Sequence, residues 1–457
     1  MTATQHDLIV VGAGIAGIAT AYFYQCQYPD HSVLVLERKG SGGIGSGLSG
    51  RSGGHRMPGF EADYSELEKL LGAKRAQELY LETVHTSRLT DRIIHDEKIV
   101  CGARHGYWIV DGEAREFAKL DEFMKPRQAL GLPDPHYYRG EHFREQVGLT
   151  GYNVGLWFPD IASFDTPKFL YGLADAFKRR GGMIEEGYEY VDHAPLKHGS
   201  KKYGITLANG EQLQANRLVL AGGDILSRQI PFLHHRTVTV YTGRIGVRLE
   251  TEDFAKLSPN LTALSGCDSD LKSNQNPLEG DFLWFSLRSD GYLAMGFGGC
   301  FGSASLANTE KDITAMINDV RAELYKRVPF LKGSNYRIKP TVGGLNTSSN
   351  LLPIVGALSS EENVHFIAAQ SGVGLNQSML IAKSLVDSFA GDRRIYDMLL
   401  EFHNTQVMIP THPRLRSAAV QVGMLEKSSS FAGVRALCGA VHSAAQVYTN
   451  AIKPIVT

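Results

Sequence analysis

The sequence DLIVVGAGIAG at residues 7–17 decides the fold of this chain. Residues 8–11 are an unbroken apolar run, which is typical of a strand buried on both faces. Gly12, Gly14 and Gly17 follow at G-x-G-x-x-G spacing. In that spacing the first glycine permits a tight turn, the second lets a phosphate approach the backbone, and the third lets a helix pack closely on the strand. The pattern predicts a strand, a turn and a helix that bind a dinucleotide.

The residues after this turn support the same prediction. Apolar residues at helical spacing come first, and residues 33–36 then form a second apolar run that ends at Glu37, twenty residues after Gly17. A carboxylate at that place can accept hydrogen bonds from a ribose, while the pyrophosphate lies at the helix N-terminus. A glutamate there disfavours a ribose 2′-phosphate, so NADP is not expected. The alternative is an ordinary βαβ turn without a ligand.

Composition is that of an ordinary globular protein. The chain has 457 residues, of which 43% are hydrophobic and 21% charged, and its net charge is −1. The length predicts two domains, and the balanced charge gives no sign of a nucleic-acid surface. Its five cysteines form no C-x-x-C pair, so neither a disulfide framework nor a metal site is expected. No signal segment and no apolar run of about 18 residues is present, which predicts a cytoplasmic protein without a membrane span.

A glycine-rich segment at residues 40–59 interrupts the nucleotide-binding unit. Its centre, GLSGRSGGH at residues 47–55, consists mostly of small residues whose amides can face an anion or a flat ring. Ser49 and Ser52 add hydroxyl donors, and Arg51 can contact a phosphate. The segment therefore predicts a cofactor cradle, with a disordered loop as the alternative.

Residues 7–38, followed by SGRSGG at residues 49–54, resemble the D-amino-acid-oxidase-like superfamily of FAD-dependent oxidoreductases. The nearest resemblance is to its γ-glutamylputrescine-oxidase and amine-oxidase branch, and it extends roughly from residue 5 to residue 391. Three later segments carry it further: RLVLAGG at residues 217–223, GGL with LPIVG at residues 343–345 and 352–356, and GVGLN at residues 372–376.

The resemblance implies that FAD lies extended across the first domain, with the glycine-rich segment beside the flavin ring. It also implies that residues 372–376 point a helix N-terminus at the flavin pyrimidine. Together with the glycine motifs, it assigns the following residues to FAD: Gly12, Gly14, Ala16, Gly17, Glu37, Arg38, Ser49, Gly50, Arg51, Ser52, Gly53, Gly54, Tyr190, Ala221, Gly222, Gly223, Gly344, Gly372, Val373, Gly374, Leu375 and Asn376.

The fold implied by the resemblance is α/β. A Rossmann-like FAD-binding domain of the glutathione-reductase type is interleaved with an antiparallel-sheet substrate domain. The predicted FAD-binding domain comprises residues 1–60, 151–225 and 336–395, the substrate-binding domain comprises residues 61–150 and 226–335, and residues 396–457 form a C-terminal helical extension.

Local signals place several elements within this plan. Asp165 or Thr166 is a predicted helix N-cap, with Pro167 at the first helical position, and residues 183–190 are predicted to form one strand. Asn209-Gly210 is a hairpin turn. Apolar residues at helical spacing between residues 434 and 448 predict a helix that packs on the body or on a partner, rather than a membrane anchor.

The resemblance implies that FAD takes a hydride from a carbon that bears an amine, giving an imine that water hydrolyses. His55 and Arg56 follow the glycine cradle and are the predicted catalytic residues. His55 can hydrogen-bond the substrate, carry a covalent link to the flavin as in some relatives, or have a structural role. Arg56, Arg244 and Arg288 are candidates for holding a substrate carboxylate, with a solvated or structural arginine as the alternative for each.

Tyr241, Trp284 and Arg288 are the predicted substrate contacts, although any single aromatic residue can instead belong to the core. Val342 stands where the family commonly has tryptophan. Ala294 stands where the sarcosine-oxidase branch has a lysine for oxygen activation, which puts rapid reaction with O2 in doubt.

The sequence therefore predicts an FAD-dependent oxidase of an amine or amino acid, with O2 as the expected acceptor. The alternatives are a dehydrogenase with another acceptor, a flavin-binding accessory protein without turnover, and an NAD-linked dehydrogenase, which the second glycine turn argues against. The pattern names neither the particular amine nor the oligomeric state.

Overall fold

Two β-sheets covered by helices make up the computed structural model, which describes residues 4–38, 43–111, 120–197, 202–257, 260–268, 281–301, 306–358 and 361–406. The strands are β1 (Gln5–Val11), β2 (Val33–Glu37), β3 (His55–Arg56), β4 (Arg104–Asp111), β5 (His136–Arg139), β6 (Val154–Ser163), β7 (Met183–Glu186), β8 (Tyr190–Pro195), β9 (Tyr203–Leu207), β10 (Gln212–Leu220), β11 (Thr237–Arg248), β12 (Ala263–Asp268), β13 (Asp281–Leu287), β14 (Tyr292–Phe301), β15 (Lys339–Ser348), β16 (Ile354–Leu358) and β17 (Glu361–Ala368). The α-helices are α1 (Ile15–Gln27), α2 (Tyr64–Leu71), α3 (Ala73–Asp96), α4 (Leu120–Ala129), α5 (Gly140–Val147), α6 (Thr166–Arg179), α7 (Gly223–Gln229), α8 (Pro231–His234), α9 (Thr251–Phe254), α10 (Leu306–Arg327), α11 (Gly374–Phe389) and α12 (Arg394–Leu400).

The first sheet has eight strands, in the order β16-β17-β10-β1-β2-β7, with β9 paired to β10 and β8 paired to β9. Its centre is parallel, and Val10 of β1 pairs with Val35 of β2 on one side and with Val219 of β10 on the other. These strands are buried on both faces. Val10 and Val35 lie in one core with residues of α1, α6 and α11, and Ile9 and Leu34 lie in a second core with residues of β9 and α7. Burial on both faces explains the unbroken apolar runs.

The second sheet has nine strands, in the order β15-β11-β14-β13-β12-β4-β6-β3, with β5 paired to β6. Its pairs are antiparallel except β12 with β4. Helix α10 packs on β11 and β14, and a core around Trp108, Phe285 and Val320 fills the space beside the sheet. The mixed α/β plan with a parallel and an antiparallel sheet is the predicted one.

The predicted domain boundaries need correction at three strands. Strands β3, β6 and β15 fall within residues 1–60, 151–225 and 336–395, which we assigned to the FAD-binding domain. In the structure they belong to the second sheet, where β3 pairs with β6, β6 with β4, and β15 with β11. Conversely, α2 and α3 pack in the core of the first sheet although they fall within residues 61–150. An apolar run predicts a strand or helix without saying which sheet it joins, because pairing partners lie far away in the sequence.

Two local predictions have different outcomes. The Asp165 side chain accepts a hydrogen bond from the Lys168 amide at 3.4 Å and caps α6, as predicted. The prediction of a single strand over residues 183–190 is wrong, since Gly187 has φ +95° and separates β7 from β8.

The helix expected between residues 434 and 448 lies outside the described residues. None of the described helices combines the length and the apolar composition that crossing a bilayer requires.

Candidate active site

A cavity of about 870 Å³ is lined by residues of both sheets. It begins at the turn after β1, follows the glycine-rich segment, and continues to the side chains of His55, Tyr107 and Trp284. Its volume is in the upper part of the range of ligand pockets, which run from roughly 300 to 1,000 Å³. The cavity therefore joins the predicted nucleotide motif to an aromatic compartment.

The turn after β1 has the geometry that its glycines predict. Gly12 has φ +106°, and a Cβ atom there would lie 2.7 Å from the carbonyl oxygen of Ala221. A Cβ atom on Gly17 would lie 1.9 Å from the carbonyl oxygen of Gly12. Gly17 does not line the cavity, so its part is to bring α1 close to β1.

Side chains from other segments reach the N-terminus of α1. Glu37 Oε2 accepts a hydrogen bond from the Ala13 amide at 2.7 Å, and Ser49 Oγ accepts one from the Ile15 amide at 3.0 Å. The Glu37 carboxylate thus lies at the end of β2 beside the glycine turn, where a ribose of a bound dinucleotide is expected. The positive end of the helix dipole suits a pyrophosphate.

The described part of the glycine-rich segment is folded against both sheets. A Cβ atom on Gly54, which has φ +83°, would lie 2.0 Å from the Phe164 carbonyl oxygen, and one on Gly53 would lie 2.8 Å from the Trp284 ring. The hydroxyls of Ser52 and Thr166 lie 2.8 Å apart. Because these residues pack so closely on their neighbours, backbone atoms form this part of the cavity wall, which suits a flat cofactor ring.

A second glycine cluster closes the cavity at the start of α11. Gly372 has φ +109°, and Ser371 before it has φ +49°, a strained conformation for a residue with a side chain. The turn is held by the buried Asn346, whose Oδ1 accepts hydrogen bonds from the Ala369 amide and the Ser227 hydroxyl, each at 2.9 Å. Asn376 does not face the cavity, because its Nδ2 donates to the Thr83 carbonyl at 2.8 Å in the interior.

Most of the residues assigned to FAD lie on this one cavity wall, and three do not. Gly17, Gly50 and Asn376 lie outside the lining. The lining includes Gly12, Gly14, Ala16, Glu37, Arg38, Ser49, Arg51, Ser52, Gly53, Gly54, Tyr190, Ala221, Gly222, Gly223, Gly344, Gly372, Val373, Gly374 and Leu375.

His55 lies in the aromatic compartment as a neutral imidazole. Its Nε2 lies 3.2 Å from the Phe285 carbonyl oxygen, and its ring meets Tyr107 and Trp284 edge to face at 5.3 and 5.7 Å. Burial lowers the pKa of His55 from 6.5 to about 4. A carbonyl oxygen can only accept a hydrogen bond, so Nε2 carries the proton and Nδ1 keeps its lone pair.

The low pKa of His55 makes folding stability depend on pH. Between pH 6.5 and 4 the unfolded imidazole binds a proton that the folded one does not, so stability decreases as pH falls. We expect His55→Gln to remove about 2 kcal/mol of the stability difference between pH 7.5 and pH 5. Urea unfolding at the two pH values measures this, with the exposed His142→Gln as control. An unchanged pH difference in His55→Gln would contradict the prediction.

The other predicted catalytic and substrate residues lie outside the cavity lining. Arg56 is 1% exposed and pairs with Asp91 at 2.6 Å, while Arg288 pairs with Asp165 at 2.8 Å. Tyr241 packs beside Gly344 instead of facing the cavity. Of the residues predicted for the reaction itself, His55 and Trp284 are the pair that the structure brings together in the compartment.

Sequence reasoning missed a group of residues that follow the cradle. Residues 57–64 line the cavity beyond His55, together with Tyr80 and Tyr107. From the sequence, residues 61–150 are assigned to the substrate-binding domain, and no site residue is predicted among them. Direct continuation from the glycine cradle was the signal that could have placed Glu61 and Tyr64 at the site.

Comparison with known proteins identifies a family. The family model described as DAO, FAD dependent oxidoreductase, matches residues 7–388. The chain is 24% identical over 393 residues to gamma-glutamylputrescine oxidoreductase of Escherichia coli K12, covering 86% of this chain and 85% of that protein. It is 23% identical over 397 residues to the probable oxidoreductase OrdL of Haemophilus influenzae, with the same coverage of 86% and 85%. The resemblance that the sequence indicated is confirmed.

Solved structures match the fold. Glycine oxidase from Bacillus cereus superposes with a TM-score of 0.65 at 17% identity, covering 86% of this chain and 98% of that chain. L-proline dehydrogenase from P. horikoshii gives a TM-score of 0.64 at 15% identity, covering 88% and 99%. The predicted combination of a parallel nucleotide-binding sheet and an antiparallel second sheet is therefore confirmed.

Proposed function

The chain belongs to the DAO family of FAD-dependent oxidoreductases, and from this premise we propose that it oxidises the C–N bond of an amine or amino acid to an imine. Bound FAD supplies the acceptor for a hydride from carbon. The observation that carries the proposal is the single cavity that runs from the nucleotide turn to His55 and Trp284. The relatives named above as a gamma-glutamylputrescine oxidoreductase, a glycine oxidase and an L-proline dehydrogenase favour the same substrate class.

His55 has the properties of a substrate acceptor. Its neutral ring offers the Nδ1 lone pair to an N–H group of the substrate, while the bond from Nε2 to the Phe285 carbonyl fixes the ring orientation. Tyr107 and Trp284 contact the imidazole edge to face and hold it in place. We infer that His55 orients an uncharged amine, so that its carbon presents a C–H bond to the flavin face.

The proposed oxidation changes one bond of the substrate and removes two hydrogen atoms from it. The substrate loses a hydride from carbon and a proton from nitrogen, and the C–N single bond becomes an imine. Water then adds to the imine carbon and releases the amine nitrogen with a carbonyl product. We propose O2 as the final acceptor. An oxidant other than O2 is the alternative, and the alanine at position 294 favours it.

An absorption spectrum of the purified protein tests the proposal. We expect flavin bands that stay in the supernatant after acid precipitation and that bleach when one member of an amine and amino-acid panel is added without air. The reduced flavin is then reoxidised either in air or with an electron-accepting dye. Comparing the two rates at which the colour returns distinguishes O2 from another acceptor. A yellow pellet would instead indicate a covalent link, which His55→Ala would remove. Bound FAD that no panel member bleaches would favour an accessory protein, and failure to take up FAD would contradict the proposal.

A further inference from the structure

Asn346 lies on β15, where the second sheet meets the turn before α11, and it lines the cavity. We propose that Asn346 is an FAD-binding residue, whose Oδ1 fixes this turn and whose Nδ2 donates a hydrogen bond to bound FAD. The inference rests on the FAD binding that belongs to the proposed function, and not on the amine substrate. None of the sequence motifs assigns this residue to the cofactor.

The orientation of the Asn346 side-chain amide is fixed by its partners. The Ala369 backbone amide lies 2.9 Å from Oδ1, and the Ser227 hydroxyl lies 2.9 Å from the same atom. A backbone N–H group can only donate a hydrogen bond, so the side-chain atom that faces Ala369 is the carbonyl oxygen and not the nitrogen. The NH2 group of Asn346 therefore points away from the Ala369 amide.

The Asn346 NH2 group is open to the cavity. Its Nδ2 donates to none of the described residues, and it is not enclosed by them. The side chain is 8% exposed and lines the cavity, so this small exposed part faces a ligand site. Asn376 differs, because its Nδ2 donates to the Thr83 carbonyl in the interior. Asn346 thus presents N–H donors that water or a ligand in the cavity can use.

The chemistry around Asn346 suits FAD better than an amine. Among the described residues, no side chain caps the N-terminus of α11, so the positive end of this helix also faces the cavity. An amine held at His55 gives its N–H group to the imidazole and needs its nitrogen lone pair to form the imine, so it offers Asn346 no acceptor. FAD carries carbonyl, hydroxyl and phosphate oxygens, all of which accept hydrogen bonds. The donor on Asn346 is therefore matched to the cofactor.

Asn346 also holds a strained turn in place. Ala369 and Ser371 have φ +55° and +49°, an unfavourable conformation for residues with a side chain. The Ala369 amide donates to Asn346 Oδ1, and the Ser371 amide donates to the Asn346 backbone carbonyl at 3.4 Å. Both strained residues are thus held by one residue of the second sheet. As a result, the Asn346 donor and the turn before α11 keep a fixed relative position.

The affinity of the loaded protein for FAD tests the proposal without any amine. Serial dilution releases FAD, and the increase in flavin fluorescence gives the dissociation constant. At pH 8, Asn346→Asp keeps an acceptor for the Ala369 amide but replaces the NH2 donor with an oxygen. We expect this variant to bind FAD about tenfold more weakly. Asn318→Asp is the matched control, because Asn318 is an exposed asparagine of α10 that does not line the cavity, and its FAD affinity should be unchanged.

Ser227→Ala separates the Asn346 donor from the turn that it holds. This variant removes the hydroxyl beside Oδ1 and leaves Nδ2 in place, so it should weaken FAD binding much less than Asn346→Asp does. Equal weakening by the two substitutions would overturn the inference, since the turn and not the donor would then serve FAD. An unchanged FAD affinity in Asn346→Asp would overturn it as well.

A crystal structure of the FAD-loaded wild-type protein decides the matter if thermal unfolding shows that Asn346→Asp does not fold. We expect Asn346 Nδ2 within about 3.2 Å of an FAD acceptor, and a clearly longer distance would overturn the inference. The proposed oxidation fails separately, because FAD binding that depends on Asn346, in a protein whose flavin no amine bleaches, would contradict the oxidation alone.

Discussion

Replacing Gly17 with alanine is expected to abolish FAD binding. The added Cβ atom would lie 1.9 Å from the Gly12 carbonyl oxygen and 3.3 Å from Val10 Cγ1. The oxygen cannot retreat, because the Gly12 amide is held to the Leu36 carbonyl at 2.8 Å in the turn itself. Helix α1 must therefore move away from β1, which costs about 1–3 kcal/mol or more and displaces the amides that face the pyrophosphate. The ratio of flavin to protein absorbance measures the loss.

Gly204→Ala is the control for this experiment. A Cβ atom on Gly204 would lie 3.2 Å from the end of the flexible, exposed Leu196 side chain and 3.9 Å from the Ala194 carbonyl oxygen, which is an ordinary contact, so we expect full FAD content. Thermal unfolding of both proteins without FAD separates loss of the site from loss of the fold. Gly17→Ala protein that retains a full complement of FAD would contradict the close packing of α1 on β1.

The second large effect is expected from Asp91→Ala. Asp91 is 33% exposed and neutralises Arg56, which is 1% exposed and joins β3 of the second sheet to α3 on the first. Removing one partner of such a pair leaves a buried charge without compensation, which typically costs about 3–5 kcal/mol. We expect the urea midpoint to fall accordingly.

An exposed pair of the same type provides the comparison. Asp397 pairs with Arg393 at the surface, with both side chains more than half exposed, and Asp397→Ala should cost less than about 1 kcal/mol. Equal effects of the two substitutions would show that the Arg56 pair is not structural. A large loss of substrate affinity in Asp91→Ala at unchanged stability would restore the catalytic role that the sequence predicted for Arg56.

The nucleotide-binding unit could be predicted from sequence because its signals are local. Residues 8–37 contain an apolar run, three glycines and a terminal carboxylate, which together favour one local structure of strand, turn, helix and strand. The structure has these elements at the expected places. Glu37 is the clearest case, since its position relative to the glycine turn follows from strand and helix lengths alone.

The roles of the arginines could not be predicted in this way. Arg56 and Asp91 are 35 positions apart, and Arg288 and Asp165 are 123 positions apart. Ion pairs between residues so far apart produce no repeating pattern in the sequence. The sequence therefore does not show that either arginine already has an acidic partner and is not available to bind a substrate. Residues 57–64 were missed for another reason, because they cross the predicted boundary between the two domains and carry no motif of their own.

The chain alternates between its two sheets, and this alternation limits how such a protein can diverge in evolution. The chain passes to the second sheet after β2 and again after β10, and it returns to the first after β6 and after β15. Among the described residues, any contiguous piece that contains one complete sheet also contains strands of the other, so neither sheet can be excised, exchanged with a relative or produced alone. Substrate range in this architecture must therefore diverge through substitutions and insertions at the cavity wall, while both sheets are inherited together.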